Sequence, residues 1–453
     1  MLDYANALRS IFQRTNYEKQ ERPPYVERYW RLDRVRELLE QLGNPQLAYR
    51  SVHITGTKGK GSTTAMIDAV LRTAGYRTGM YTSPHLHTFR ERIRLAGQPI
   101  SEADVVRLVE RMLPILATRP EVTVFEIITA LAMVYYAEQQ IDFGVFEVGL
   151  GGRLDATNVI QPLVSVLTAI SMDHTKVLGD TLEAIAREKA GIIKPNTPVV
   201  SSPQRPSALS VIEETCTRLA SPLTLVGRDW NWRFIDADLN HQRFDVYRAD
   251  HQAAPEYPEL TLPLLGTHQL ENATAAIAAI ETLREADVDL PREIVRQGIA
   301  NVEWPGRLEI LGRQPLVVVD GAHNPHSMTR LLEAVHAYLP YQHIRLVFGA
   351  GTTHNPQELL EILLPAVDTC IVTHAHHAKA APPEQLVEAA HSLGHAAQAV
   401  EPLGEALDQA LAAAGPDDLV LVTGSLFVVA EARAAWAERN GLSPLPSDPE
   451  GVY

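Results

Sequence analysis

The chain has 453 residues, 45% hydrophobic and 21% charged, which is more apolar material than one core normally serves, so two domains of unequal size are expected. A formal charge of -15 argues against a general nucleic-acid binder, which needs a lysine- and arginine-rich face, and the apolar runs fall short of the ~20 residues that span a bilayer. Cys216 and Cys370, far apart and among apolar neighbours, read as buried thiols of a reducing compartment; Met1-Leu-Asp-Tyr-Ala-Asn6 carries no export signature, so a cytoplasmic protein is expected.

In chain order, the first fifty residues read as helices interrupted by the polar loop Glu21-Arg-Pro-Pro-Tyr25. The second helix carries Leu32, Val35, Leu38, Leu39 and Leu42 on one face before Gly43 stops it. Then Val52-His-Ile-Thr55, short and apolar, runs into Gly56-Thr-Lys-Gly-Lys-Gly-Ser-Thr-Thr64, after which Ala65, Met66, Ala69 and Val70 take up helical spacing: strand, glycine loop, helix. An extended run, 79–82, ends at Ser83-Pro84-His85; a helix around 126–137 and buried strands at 143–148 and 164–168 continue the rhythm of a parallel sheet. From 225 to 265 aromatic and polar residues alternate (Trp230, Trp232, Phe234, Phe244, Tyr247), predicting antiparallel hairpins that elaborate an edge of the first domain.

An alanine-rich helix over 272–283 leads to Pro305 and Gly306, where we expect the boundary between domains 1–302 and 303–453. The smaller domain repeats buried strands at 316–320, 344–348, 370–373 and 419–423. It is Rossmann-like, but no turn carries G-x-G-x-x-G, so dinucleotide binding has little support. The segment after about 440 is expected to be loosely ordered. The predicted class is α/β: a phosphate-loop, parallel-sheet domain plus a smaller Rossmann-like one.

Glycines let backbone N–H groups converge on an anion, and the helix start adds partial positive charge, so the loop at 56–64 is the candidate nucleotide-phosphate site, with Lys60 the mobile cation. It is a variant of G-x-x-x-x-G-K-[ST], because Gly61 separates Lys60 from Ser62. Ligands of open parallel sheets sit beyond the carboxyl ends of the strands, which selects Ser83, Glu147, Asp173 and His174. Glu147, closing a buried strand, is placed to hold magnesium; Ser83 offers a hydroxyl but is also a plain turn residue. Lys189, at the end of an amphipathic helix, reads on its own as a lysine favourably placed at a helix terminus. Asp320-Gly-Ala-His323-Asn324-Pro325 brings a carboxylate, an imidazole and an amide to one strand end, and Asn272 and Arg307 flank the domain junction. His374, His376 and His377 read as an exposed polar loop in preference to a metal site.

Together and in this order, Gly56–Thr63, Thr82-Ser-Pro-His85, Phe89-Arg-Glu-Arg-Ile93, Glu147-Val-Gly-Leu-Gly-Gly-Arg-Leu-Asp-Ala-Thr-Asn158, Asp173-His174, Arg187-Glu-Lys-Ala-Gly191, Asp320–Pro325 and Thr423-Gly-Ser425 resemble the folylpolyglutamate synthase/dihydrofolate synthase family, a branch of the Mur-type ATP-dependent amide ligases. The likeness covers nearly the whole chain. It implies a P-loop ATPase domain, a Rossmann-like C-terminal domain and a site between them, with ATP as substrate and Mg2+ and a monovalent cation as cofactors.

By this resemblance Thr57, Lys58, Gly59, Lys60, Gly61, Ser62, Asn272, Arg307, Asp320 and His323 bind ATP, and Ser83, Glu147 and His174 hold magnesium. Lys60, Lys189 and His174 serve catalysis, Lys189 as a carbamylated lysine, and Phe125, Glu126, Leu154, Asp155 and Ala156 lie where a pterin binds. The implied partners are small molecules alone (folate or dihydropteroate, L-glutamate, ATP), the implied state is a monomer, and neither nucleic acid nor membrane is expected. Two stretches depart from the family: Ala350-Gly-Thr-Thr-His-Asn-Pro356 replaces an Asp-Lys-Asp segment, and His374-Ala-His-His-Ala-Lys379 replaces an arginine-containing loop. Lys58 stands where many bacterial members have asparagine. A Mur enzyme acting on a cell-wall nucleotide precursor and a P-loop switch without ligase activity are the competing readings.

Overall fold

The structure, a computed structural model, describes residues 2–18, 20, 22–249, 254–352 and 355–452. Met1, Glu21, Thr353 and His354 of the sequence readings lie outside them.

Eight strands form the first sheet: β1 (Arg50–Thr55), β2 (Thr78–Tyr81), β3 (Ile93–Leu95), β4 (Gln98–Pro99), β5 (Phe143–Glu147), β6 (Val164–Leu167), β7 (Val199–Ser201) and β8 (Leu223–Leu225), in the order β4-β3-β2-β5-β1-β6-β7-β8. All pairings are parallel except β2 with β3 and β3 with β4. From β1 the chain crosses to β2 on one side, returns to β5, then passes over β1 to β6 on the other. The crossovers therefore diverge at β1, and a crevice opens over the ends of β1, β5 and β6, as open α/β sheets require of a ligand site. β1 reads as a continuous buried run because helices cover both faces of a parallel sheet. The helix Lys60–Thr73 that follows it is buried from Ser62 to Leu71, held between the sheet and the helices Thr267–Glu285 and Arg292–Ala300.

The aromatic stretch forms β9 (Trp230–Ala237), β10 (Gln242–Arg248) and β11 (Tyr257–Leu262), an antiparallel sheet of its own. This corrects the expectation of an edge elaboration: β8 remains the edge of the large sheet. Period-two alternation gives these strands one apolar face, and Trp230, Phe244, Val246, Leu260 and Leu262 turn it onto the helix Thr267–Glu285, within the core that also holds Val52 and Met66. That helix begins five residues earlier than the alanine pattern indicated.

Val302 still belongs to this core, whereas Leu308 belongs to the next. The C-terminal α/β domain has β12 (Glu309–Arg313), β13 (Leu316–Asp320), β14 (Ile344–Phe348), β15 (Thr369–Val372), β16 (Gln398–Ala399) and β17 (Leu419–Thr423), ordered β12-β13-β17-β14-β15-β16 and parallel except for β12. Successive residues of β13 feed opposite cores, Leu316 and Val318 on one face and Val317 and Val319 on the other.

The segment beyond 440 contradicts the expectation of loose order. The Asp448 carboxylate accepts from the Tyr4 and Thr88 hydroxyls, each at 2.7 Å, and from the Phe89 N–H at 2.5 Å, and Val452 is buried in the N-terminal core. Local polarity suggested a frayed end; long-range anchors override it. Among the described residues no helix is long and apolar enough to cross a membrane.

Candidate active site

The loop after β1 brings two ammonium groups to one carbonyl. Lys60 Nζ donates to the Gly56 oxygen at 3.2 Å, and Lys189 Nζ, arriving from the helix Leu182–Ala190, donates to the same oxygen at 2.8 Å. Gly59 turns the chain at φ +88°, and a side chain there would run into Asn272 Oδ1, so the helix start comes to lie against that amide. A Cβ on Gly61 would meet the Trp304 ring at 2.7 Å: the extra glycine of the loop makes room for an indole from the domain junction. The first-turn N–H groups of such a helix lack intrahelical acceptors and face the crevice as anion donors.

Lys189 is 4% exposed. Burial, reinforced by the charge of Lys60, holds its amine well below the ordinary lysine range. This overturns the unaided reading of a lysine merely decorating a helix end.

Glu147, 5% exposed, closes β5 and accepts from the Ser83 N–H at 3.2 Å. Burial raises its carboxyl, opposed first by the charge of Lys60 and also by Arg307. The loop after it is held from beneath. Asp155 accepts from the N–H groups of Gly149 (3.1 Å), Leu150 (3.0 Å) and Thr157 (2.9 Å) and from the Thr157 hydroxyl (2.6 Å), while the Tyr25 hydroxyl donates to Leu150 O at 3.0 Å and receives the Leu154 N–H at 3.1 Å.

Past β6, Asp173 pairs with Lys58 Nζ at 2.8 Å; burial pushes its carboxyl up, but Lys58, with the neighbouring His174 and His323, holds it well below the usual range. His174, in the left-handed region at φ +51°, turns Nδ1 towards Arg22 Nη1 at 3.2 Å; burial lowers the imidazole to about 3, so it stays neutral. The second domain reaches the same point, with Asn324 Nδ2 donating to Asp173 Oδ2 at 3.3 Å. A cavity of about 30 Å³ lies between Gly56, Lys60, Gly149, Asp173, His174 and Lys189. A larger, open depression near Cys216 and Arg228 gathers no comparable group of charges.

Residues 54–280 match the Mur ligase middle domain and residues 306–426 the Mur ligase glutamate ligase domain. The chain is 35% identical over 409 residues to the dihydrofolate synthase/folylpolyglutamate synthase of Bacillus subtilis, covering 89% of this chain and 94% of that one. The Mycobacterium tuberculosis folylpolyglutamate synthase, solved with ADP and AMPPCP, superposes with a TM-score of 0.85 at 32% identity, covering 98% of this chain and all of that one. A probable bifunctional folylpolyglutamate synthase/dihydropteroate synthase of Haloferax volcanii is 37% identical over 414 residues; the match takes in 89% of this chain and 48% of that protein, so this chain spans about half its length. The chain belongs to the folylpolyglutamate synthase/dihydrofolate synthase family of Mur ligases. It is an ATP-dependent ligase acting on small molecules, as its sequence motifs implied.

In this ligase the second domain presents Asp320, whose carboxylate accepts from the Leu308 and Ala322 N–H groups at 2.8 Å each, and His323, whose Nδ1 lies 2.8 Å from Gly321 O. Arg307, between the domains, donates to Gly306 O at 3.0 Å, and its charge reaches Asp320, His323 and Glu147. Asn272 Nδ2 donates to Gln269 at 3.0 Å, leaving Oδ1 towards the loop. Phe125 packs on Gly149 and against the cluster that holds Ala156, while Leu154 is buried in the neighbouring cluster with Tyr25 and Leu150. Glu126 caps its own helix through Thr123 and pairs with Arg34 at 2.8 Å.

His374 pairs with Glu401 and His376 with Glu431, while His377 stacks on Phe427 at 3.8 Å; the two carboxylates come from distant sequence, and among the described residues no group of three metal-capable side chains forms. Arg22, Tyr25 and Trp304 had carried no sequence signal. The first two lie in the proline-containing loop and the third in the junction, both read only as breaks in a pattern.

Proposed function

We propose that this ligase joins L-glutamate to reduced folates, lengthening their glutamate tail, and to dihydropteroate. The observation that carries the reading is the convergence of Lys60 and Lys189 on Gly56 O beside buried Glu147, at the start of a phosphate-cradling helix. The acceptor's carboxylate oxygen attacks the γ-phosphorus of ATP, the bond to the bridging oxygen breaks and ADP departs. The glutamate amine then attacks the acyl carbon, a C–N bond forms, and inorganic phosphate leaves. No side-chain nucleophile is needed: Lys60 and the first-turn N–H groups of Lys60, Gly61 and Ser62 offset charge on the transferring group, Thr57, Lys58 and Gly59 shape the loop that holds it, and Arg307 and Asn272 orient it. Asp320 and His323 complete the nucleotide contacts, and Phe125, Glu126, Leu154, Asp155 and Ala156 border the pterin.

Glu147, Ser83 and His174 would hold magnesium: a buried carboxylate that accepts from the Ser83 N–H, the hydroxyl of that serine and a neutral imidazole are donors of the kind a divalent cation takes. Magnesium, when bound there, neutralises phosphate charge. The unprotonated amine of Lys189 is the form that adds carbon dioxide, which would turn a buried cation into a carboxylate and relieve its repulsion from Lys60. A monovalent cation, a monomeric state, a cytoplasmic location and a domain division at 302/303 belong to the same reading.

The test is incubation with ATP and radiolabelled glutamate, offering tetrahydrofolate, dihydropteroate or a UDP-muramoyl acceptor in separate reactions. Labelled product with the first two supports the assignment. Product only with the third, or phosphate release independent of both acceptor and glutamate, overturns it.

A further inference from the structure

The segment after the helix Leu426–Arg439 returns from the second domain to the first and ends its path on the loop that carries Ser83. Asp448 accepts the Phe89 N–H on Oδ2, at the start of the turn Phe89–Arg92, and both the Thr88 and the Tyr4 hydroxyls on Oδ1. That turn is rigid: Glu91 folds back to accept from the N–H groups of Leu86 (3.0 Å), His87 (2.9 Å) and Thr88 (3.1 Å). The Arg92 carbonyl accepts from the Thr82 N–H at 3.1 Å, one residue before Ser83, whose own N–H reaches Glu147. The second domain also grips the loop directly. Arg433 Nη1 lies 2.5 Å from His87 Nε2, and Leu86 packs among Val429 and its neighbours.

We propose that residues 440–452 are a strap whose anchor, Asp448, fixes the Thr82–Arg92 loop and thereby the approach of Ser83 to Glu147, making Asp448 a positioning residue for the phosphate-metal site. A carboxylate that satisfies a side-chain and a backbone donor of one turn holds that turn against rotation, and Val452, buried in the N-terminal core, keeps the strap taut. The role in catalysis rests on the ligase reading above; the anchoring of the loop does not.

The experiment compares the full-length protein with Asp448→Ala, Asp448→Asn and Tyr4→Phe. Amide hydrogen exchange over 82–92 and calorimetric titration of Mg2+ with a non-hydrolysable ATP analogue are the readouts. The two Asp448 variants are expected to speed exchange in 82–92 by about tenfold or more and to raise the Mg2+ concentration for half-saturation about fivefold, the asparagine less than the alanine. Tyr4→Phe, which loosens the strap only from the helix Tyr4–Phe12, is expected to leave both within about twofold. Unchanged exchange in 82–92 for both Asp448 variants, or equal effects from Tyr4→Phe, overturns the proposal. Neither readout needs folate or glutamate, so a failure of the ligase reading would show separately, as absent product from the unaltered protein.

Discussion

The two sheets end in acidic residues at corresponding places, Glu147 closing β5 and Asp320 closing β13, and their surroundings differ in kind. Asp320 has both oxygens engaged by backbone N–H groups, and the neighbouring imidazole of His323 lies against its own backbone. Glu147 accepts from Ser83 while buried beside the charge of Lys60, and two lysines crowd a single carbonyl nearby. Burial raises both carboxyls and a cation opposes it at each, Arg307 at Asp320 and Lys60 at Glu147; what differs is that two backbone N–H groups hold Asp320, whereas two lysines meet beside Glu147, which favours an anionic ligand there. On the proposed reading the chemistry belongs to the first domain, and the second supplies shape and orientation.

Removing Glu147 or Lys60 is the strongest test of that contrast. Glu147→Ala and Lys60→Ala are each expected to lower kcat for glutamate ligation by about 10³-fold, since each takes away a charge that acts on the transferring phosphoryl group. Steady-state assays with saturating ATP report it, and losses under tenfold would move the chemistry elsewhere. Lys189→Ala should cost about 10²-fold. If the lysine acts as a carbamate, added acetate or formate will restore part of the rate to this variant and none to Lys60→Ala; normal turnover of Lys189→Ala without such additives would refute the carbamate. In the second domain Asp320→Asn keeps shape and removes charge, and the expected effect is a rise of about tenfold in KM for ATP, roughly 1.4 kcal/mol, with kcat little changed. A larger fall in kcat than Glu147→Ala produces would reverse the ranking of the two strand ends.

The alternation of strand and helix was readable because both sheets are mostly parallel and buried, so each strand is an apolar run ending in a polar residue that marks its carboxyl end. Ser83, Glu147, Asp173 and His174 were singled out by the rule that ligands sit beyond the carboxyl ends of the strands, and Asp320 by the buried run that precedes it. Lys189 was not: its meaning comes from burial beside Lys60, about 130 positions earlier in sequence, and only the family resemblance pointed to it. The pairing of Lys58 with Asp173 and of Asn324 with the same carboxylate is likewise invisible to periodicity, as is the grip of Asp448 on Thr88 and Phe89. The small sheet was legible as antiparallel strands, but not its place, because alternation reveals that a face is apolar without naming what covers it. Polar, proline-rich texture around Arg22 and Tyr25 concealed side chains that reach back to the site.

The contrast between the sheets extends to acid. β13 and β17 carry only aliphatic side chains between their ends, whereas β1, at the centre of the first sheet, carries His53, which is fully buried and lowered by burial to about 3. Its Nε2 lies 2.8 Å from Thr157 Oγ1, and that hydroxyl gives its proton to Asp155 at 2.6 Å, so the imidazole must donate through Nε2 and leave Nδ1 as a bare lone pair in the core. Protonation at Nδ1 would bury a charged N–H without an acceptor, which is why the folded protein resists it. The unfolded chain takes up that proton near pH 6.5, so between about 6.5 and about 3 the unfolded state binds more protons, and stability falls as pH falls, by about 1.4 kcal/mol per pH unit from this residue. Chemical denaturation from pH 7 to 4 is expected to show that slope, and His53→Gln, though less stable at pH 7, should flatten it by about one proton. An unaltered slope in the variant would shift the acid sensitivity to other buried groups, such as His174 or His85, and remove the distinction drawn here between the two sheets.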